Sequence, residues 1–259
     1  MKTNRENYIY VLIRSWKSFD NFDRCIDSVL EQHYSNYKIL FVDDASNYSA
    51  QQKKHIKDKL RGHIVVFNKI RNFSLKNGYY MIHKYAHKKD AIVFNLDGDD
   101  WLIDRNTFRH VSDIYNSDKN IWLTWGGCLV WNGTKLTNIS QNGEFCINGQ
   151  YPRSIIKNNT YRTYPFLPLH PRTWKVSLFK KIKMSDFKDT DGNWLRFPED
   201  QAMFYPMLEM SNGHHKVIKR NMYVYNMEHC YSIVNKYPLE TMKEELIIRR
   251  KKHYVSTKK

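Results

Sequence analysis

Four short apolar runs, at residues 8–13, 37–42, 63–67 and 91–96, alternate with stretches of helical period at residues 18–33, 49–60 and 74–87. This alternation confines a chain to α/β architectures, because strands joined by helical crossovers build a largely parallel sheet. In the first helical stretch Phe19, Phe22, Ile26, Val29 and Leu30 share one face, and Ser18 is placed to cap it. A helix over residues 104–117 and a Trp- and Gly-containing strand over 121–131 follow. Between residues 132 and 171 the pattern weakens into an Asn-rich stretch punctuated by glycine and proline. Loops of that kind over a sheet edge commonly bind a variable partner. Helices are predicted again over residues 172–181 and 199–210, with Pro206 starting or kinking the second, then a strand over 216–225 and a helix over 238–254. No internal repeat or long linker interrupts the chain, so one domain over residues 1–259 is expected.

Open α/β sheets bind ligands beyond the carboxyl ends of their strands. The fourth apolar run ends in Asp97-Gly98-Asp99-Asp100, three carboxylates within four positions. Carboxylates so crowded repel one another unless a cation or donor groups neutralise them. A divalent metal holding a diphosphate meets that need, since oxygen ligands suit Mg²⁺ or Mn²⁺; an acidic polar turn is the plainer alternative. The second run ends in Asp43-Asp44 and the first in Arg14-Ser15-Trp16, while Lys69 and Arg71 follow the third and Lys76 lies in the next helix. A parallel sheet brings these ends to one rim, where an indole, carboxylates and cations together suit a nucleotide. An EF-hand loop is excluded, because Leu102 and Phe108 stand where the turn glycine and the closing glutamate are required.

An apolar content of 41% with 15% aromatic residues marks a folded chain rather than a disordered one. No stretch reaches the roughly 18 to 20 apolar residues that a bilayer crossing needs. No apolar segment of signal-peptide type precedes the first strand, so a cytoplasmic location is expected. Cys25, Cys128, Cys146 and Cys230 are widely spaced without a CxxC pair, which fits free thiols better than disulfides or zinc. Sequons such as Asn132-Gly133-Thr134 are read as chance in an Asn-rich chain. The net charge of +16 raises nucleic acid, anionic surfaces and phosphorylated ligands as partners. Its densest block is the end of the chain, where Lys243, Arg249, Arg250, Lys251, Lys252, Lys258 and Lys259 oppose only Glu244 and Glu245. That tail suits peripheral contact with an anionic surface, or is a frayed terminus.

The segment VLIRSWKSFDNFDRCIDSVLEQHYSNYKILFVDDAS resembles the opening of inverting glycosyltransferases of the family 2 type, which have the GT-A fold. The family's S-[IV]-L-x-Q helix motif and V-D-D-x-S strand end stand here as Ser28-Val29-Leu30-Glu31-Gln32 and Val42-Asp43-Asp44-Ala45-Ser46. Its Arg-Asn pair before a glycine resembles Lys76-Asn77-Gly78, its D-x-D-D signature resembles Asp97-Gly98-Asp99-Asp100, and its late acidic pair resembles Glu199-Asp200. The opening motif departs, with Arg14-Ser15-Trp16-Lys17 in place of Thr/Ser-x-Tyr-Asn, and Lys76 lacks the planar fork of arginine. Leu169-His170-Pro171-Arg172 and Glu209-Met210 also resemble the family, without a chemistry attached.

The resemblance implies a mixed, mostly parallel GT-A sheet flanked by helices. Residues 1–131 would form the nucleotide-sugar half, residues 132–237 the acceptor half, and residues 238–259 a basic helix and tail. It implies transfer of a sugar from a nucleoside diphosphate donor, UDP foremost, with inversion and with Mn²⁺ or Mg²⁺. The acceptor hydroxyl would belong to a glycan, a lipid-linked group or a protein. Trp16 would face the base, Asp44 would accept from a base N–H, Lys76 would assist and Asp97 would hold the ribose. Asp99, helped by Asp100, would ligate the metal, and Asp200 would be the general base. His229 is a further candidate metal ligand, with a surface histidine as the plainer reading. A nucleotidyltransferase would also use strand-end carboxylates and metal, yet Arg14-Ser15-Trp16-Lys17 lacks the glycines of a phosphate loop. A non-catalytic nucleic-acid-binding protein would exploit the charge, but acids on the functional rim repel phosphate, so no specific nucleic acid is expected.

Overall fold

The computed structural model describes residues 6–138, 149–228 and 236–256. The chain opens with β1 (Ile9–Ser15), α1 (Phe19–Leu30), β2 (Tyr37–Asp43), α2 (Ala50–Lys59), β3 (Ile64–Phe67), α3 (Phe73–Tyr85) and β4 (Ile92–Asp97). There follow β5 (Trp101–Leu102), α4 (Thr107–Ser117), β6 (Leu123–Trp125), β7 (Cys128–Trp131), β8 (Leu136–Asn138) and α5 (Arg153–Asn158). The last elements are β9 (Arg172–Lys175), α6 (Val176–Phe179), α7 (Glu199–Ser211), β10 (His215–Val217), β11 (Tyr223–Asn226) and α8 (Pro238–Arg250).

A main sheet of seven strands runs in the order β10-β6-β9-β4-β1-β2-β3, parallel except for β9. It is the mixed, mostly parallel α/β sheet that the strand–helix alternation and the resemblance both predict. All seven residues of β1 are buried, as a central strand covered on both faces requires. Strand side chains alternate between faces. Ile9, Val11 and Ile13 therefore join Phe22, Ile26 and Val29 of α1 in one core layer, while Tyr10 and Leu12 join Leu75, Phe204 and Leu208 of α3 and α7 in the other. Arg14 continues the second set and so points toward α3 and α7.

Four sequence-based expectations change in the tertiary structure, the first being the cap of α1, where Ser18 makes no side-chain capping bond and pairs with the Ser15 hydroxyl instead. The strand predicted over residues 121–131 is two strands, β6 in the main sheet and β7 in a second sheet of order β5-β11-β7-β8. Gly126 and Gly127 break it, with φ of 100° and 85°, values that favour glycine. A Cβ on Gly127 would lie 1.9 Å from the carbonyl oxygen of Arg220, so side-chain volume is excluded there as well. The strand over 216–225 likewise divides into β10 and β11, one in each sheet. The helix over 172–181 begins instead as β9, hydrogen-bonded between β4 and β6, with only α6 helical. Thr173 and Trp174 favour extended structure, and pairing with two strands overrides the weak helical period there.

Candidate active site

β1, β2 and β4 run parallel, so Arg14, Asp44 and Asp97 are delivered to the same edge. β9 runs the other way, and its first residue, Arg172, lies opposite Asn95 at that edge. The head of α7 brings Glu199 and Asp200 to it from above. Within the β1–β4 ladder Arg14 is the direct neighbour of Asp97 and therefore projects from the same face. Its guanidinium Nη2 lies 3.1 Å from Asp97 Oδ1 and 2.8 Å from Glu199 Oε1. Arg172 Nη2 lies 2.9 Å from Asp200 Oδ2, while its Nε donates to the carbonyl of Pro168. Two arginines thus hold three carboxylates drawn from a strand end and a helix start.

These contacts set the charge states. Burial works against an ionised Asp97, but the guanidiniums of Arg14 and Arg172 outweigh it and hold its pKa below the usual range. His170, whose Nε2 is 3.8 Å from Asp97, is pushed by burial and by Arg172 down to about 3 and is a neutral ring at neutral pH. It stacks on Tyr223 and Tyr225, with centroids 4.6 and 5.8 Å away. Glu199 is pushed up to about 7 by burial, with Asp97 and Asp200 adding repulsion that Arg14 only partly offsets. Its Oε2 is buried without a hydrogen-bond partner among the described residues.

The acidic turn divides its carboxylates between two tasks. Gly98 permits it: a Cβ there would approach Ser15 Cβ to 2.9 Å and the Arg14 carbonyl to 3.0 Å. Asp100 turns inward, where it accepts from the Tyr223 hydroxyl and from the backbone N–H of Asn226. Burial and the neighbouring Asp99 and Asp97 raise its pKa well above the usual range. Asp100 therefore ties the acidic turn to the second sheet, with both of its carboxylate oxygens engaged. Asp99 is half-buried beside the rim. Among the described residues no group of three or more His, Cys, Asp or Glu side chains converges as a metal cage. The donor set suits a hard cation that takes one carboxylate and draws its remaining oxygens from diphosphate and water.

Beside these groups, Trp16, Asp44, Arg71, Phe73, Ser74 and Asn77 line a small cleft with Arg14 and Ser15. Asp44 accepts from the backbone N–H groups of Asn72 (2.7 Å) and Phe73 (2.9 Å) and from the Asn68 amide (3.2 Å). Those backbone groups are the orphan donors at the start of α3, which Asn72 does not cap with its own side chain. A carboxylate has about four lone-pair sites, three of which these donors occupy, and Arg71 Nε lies 3.8 Å from Oδ2. The Arg71 guanidinium lies 3.5 Å from the Trp16 ring centroid and 4.5 Å from that of Phe73. Lys76 sits half-buried on α3 and does not line the cleft; Asn77 does, and accepts from Asn68 at 2.8 Å.

Of the residues singled out from sequence, Trp16, Asp44, Asp97, Asp99 and Asp200 stand along one rim, Asp100 lies beneath it and Lys76 beside it. His229 falls outside the described residues. Arg71, Arg172 and Glu199 carry more of the site than their sequence context suggested. The signal for Glu199 was present in its adjacency to Asp200 at a helix start. Arg14 was visible as a lone charge closing an apolar strand.

Solved structures share this architecture. S. aureus TarS 1-349 superposes with a TM-score of 0.61 at 13% identity, covering 93% of this chain and 69% of that one. The same fragment in complex with UDP-GlcNAc gives 0.58 at 12% identity, covering 85% and 58%. The mannosyltransferase PcManGT from Pyrobaculum calidifontis, in complex with GDP-Man and Mn²⁺, gives 0.59 at 12% identity, covering 96% and 66%. This chain spans only 36% of a longer TarS structure, and at such identities the likeness is one of fold. No curated protein sequence matches the chain significantly. The model of glycosyl transferase family 2 matches residues 10–183, well over half of the chain, which therefore belongs to that family.

Proposed function

We propose that this glycosyltransferase moves a sugar from a nucleoside diphosphate donor, UDP first among them, to a hydroxyl acceptor with inversion at the anomeric carbon. The observation that carries the reading is the junction at Arg14. One buried guanidinium joins the strand-end acid Asp97 to the helix-head acid Glu199, which supports reading the two acids as parts of one site. Trp16 offers a ring face to the base once Arg71 withdraws, and the remaining lone pair of Asp44 accepts a base N–H. Asp97 directs its second oxygen to the ribose. Asp99 would hold Mn²⁺ or Mg²⁺, which when bound offsets the charge building on the departing diphosphate. That UDP-GlcNAc and GDP-Man are bound by structures of this fold supports the donor class.

Asp200 is the proposed general base, kept in place by Arg172 and by the backbone N–H of Gln201 at 2.8 Å. A base must come within about 3 Å of the hydroxyl it deprotonates and works best with a pKa near the operating pH. Glu199 has that second property, which favours it as an alternative base. Activity lost in Asp200→Asn with donor binding retained assigns the base to Asp200. An active Asp200→Asn beside an inactive Glu199→Gln moves it to Glu199.

The donor site is tested by calorimetric titration of UDP and then GDP, with Mn²⁺ and with chelator, on the wild type and Asp99→Ala. Metal-dependent binding that the variant loses is expected. Absence of binding by both nucleotides would remove the proposal.

A further inference from the structure

α8 turns outward a narrow face bearing Leu239, Met242 and Leu246, which are 68%, 61% and 50% exposed. At 3.6 residues per turn these three fall, together with the exposed Lys243 and Arg250, within an arc of about 100°. The acids of the last two turns lie off that arc and are already engaged. Glu244 accepts from the backbone N–H groups of Arg196 (2.7 Å) and Phe197 (2.9 Å), and Glu245 pairs with Arg249 at 2.8 Å. Glu240 is exposed in the first turn, beside the arc, where the helix dipole favours an acid. The opposite side is held down by buried Ile248.

Leu239, Met242 and Leu246 form an exposed apolar row with Arg250 and Lys243 along one edge of it, so a single face of this surface helix offers both apolar area and cations to a lipid interface. Among the described residues no helix is long and apolar enough to cross a membrane, and α8 has 13 residues. A second copy on this face would bring Lys243 and Arg250 against like charges on a chain of net +16. Nucleic acid would meet the cations but leave the apolar row facing water. An anionic bilayer satisfies both groups.

We propose that α8 docks the protein on an anionic lipid bilayer. Leu239, Met242 and Leu246 enter the headgroup–acyl boundary, and Lys243 and Arg250 meet lipid phosphates. The helix begins beside the donor cleft: the Tyr237 ring packs on Phe197 at 5.3 Å, Phe197 on Phe73 at 6.3 Å, and Arg71 bridges Phe73 to Trp16. Docking therefore holds the cleft near the lipid surface, which, resting on the transferase reading, selects a lipid-linked hydroxyl as acceptor.

Flotation of the full chain with vesicles of phosphatidylglycerol and phosphatidylcholine, against phosphatidylcholine alone, tests the docking. Binding confined to the anionic vesicles and weakened by salt is expected. Lys243→Glu with Arg250→Glu should lower partitioning by about tenfold or more. The triple variant Leu239→Ser, Met242→Ser, Leu246→Ser should lose binding while keeping its melting temperature and its UDP titration. No wild-type partitioning, or equal partitioning by the triple variant, overturns the proposal. So does concentration-dependent dimerisation abolished by the same three substitutions, which assigns the face to a second copy. Because the readout is partitioning alone, docking and the transferase reading succeed or fail separately.

Discussion

At Arg14 a single side chain closes an apolar strand and supplies the countercharge for two acids that neither neighbour in sequence. The ladder register gives it Asp97, and the packing of α7 gives it Glu199. Glu199 still bears a folded-state pKa of about 7, against an ordinary value of 4.5, because burial outweighs the attraction of Arg14. The folded state therefore binds its proton more tightly than the unfolded chain does. Stability from this group is fully present below pH 4.5 and falls as pH rises toward 7, levelling off above. Glu199→Gln removes that dependence. Thermal melts at pH 5 and pH 8 should show wild type losing more stability than the variant over the interval. Parallel losses in the two proteins would contradict the assignment.

Among the elements, β6 and β7 show how one turn distributes a continuous apolar stretch between two sheets. Gly127 adopts φ of 85° with the Arg220 carbonyl against its α-carbon, so a methyl group meets immovable backbone. Gly62 has a similar φ of 86° but open space around it. Gly62→Ala should cost about 1 kcal/mol, the usual penalty of a left-handed conformation for a residue with a Cβ. Gly127→Ala should cost on the order of 3 kcal/mol or more, since the chain must also shift. Urea midpoints of the two variants compare them directly, and equal losses would show that the β7–β11 junction is not constrained as described.

Across the whole molecule, a buried ion pair binds the late segments together. Arg162 faces Glu209 of α7 through two hydrogen bonds, with side chains 1% and 0% exposed, and also donates to the carbonyl of Ile248 in α8. Glu209 accepts in addition from the backbone of Tyr254 at 2.9 Å. The segment before β9, the helix carrying Glu199 and Asp200, and the C-terminal helix thus share one electrostatic node. Arg162→Met takes the buried guanidinium from Glu209, leaving only the exposed His253 at 3.4 Å, and should destabilise by about 3–5 kcal/mol. It should also speed proteolysis or hydrogen exchange in α8 before global unfolding. Global loss without selective exposure of α8 would separate the node from the docking helix.

The order of strands and helices up to β4, the mixed parallel sheet and the rim bearing Trp16, Asp44, Asp97 and Asp99 were all legible in the sequence. Their signals are local: apolar period, strand-ending acids and short motifs reside in contiguous residues. The antiparallel β9, the division of two predicted strands between sheets, the inward turn of Asp100 and the arginine bridges to α7 were not. Each depends on which distant segment pairs with a strand or neutralises a charge. Asp97, Asp99 and Asp100 are the same residue type within four positions. One binds Arg14, one stays at the rim and one is consumed by Tyr223 and Asn226 from more than a hundred residues away. Local sequence determined where the carboxylates would gather. Burial and long-range hydrogen bonding, which only the tertiary structure supplies, decided what each one faces.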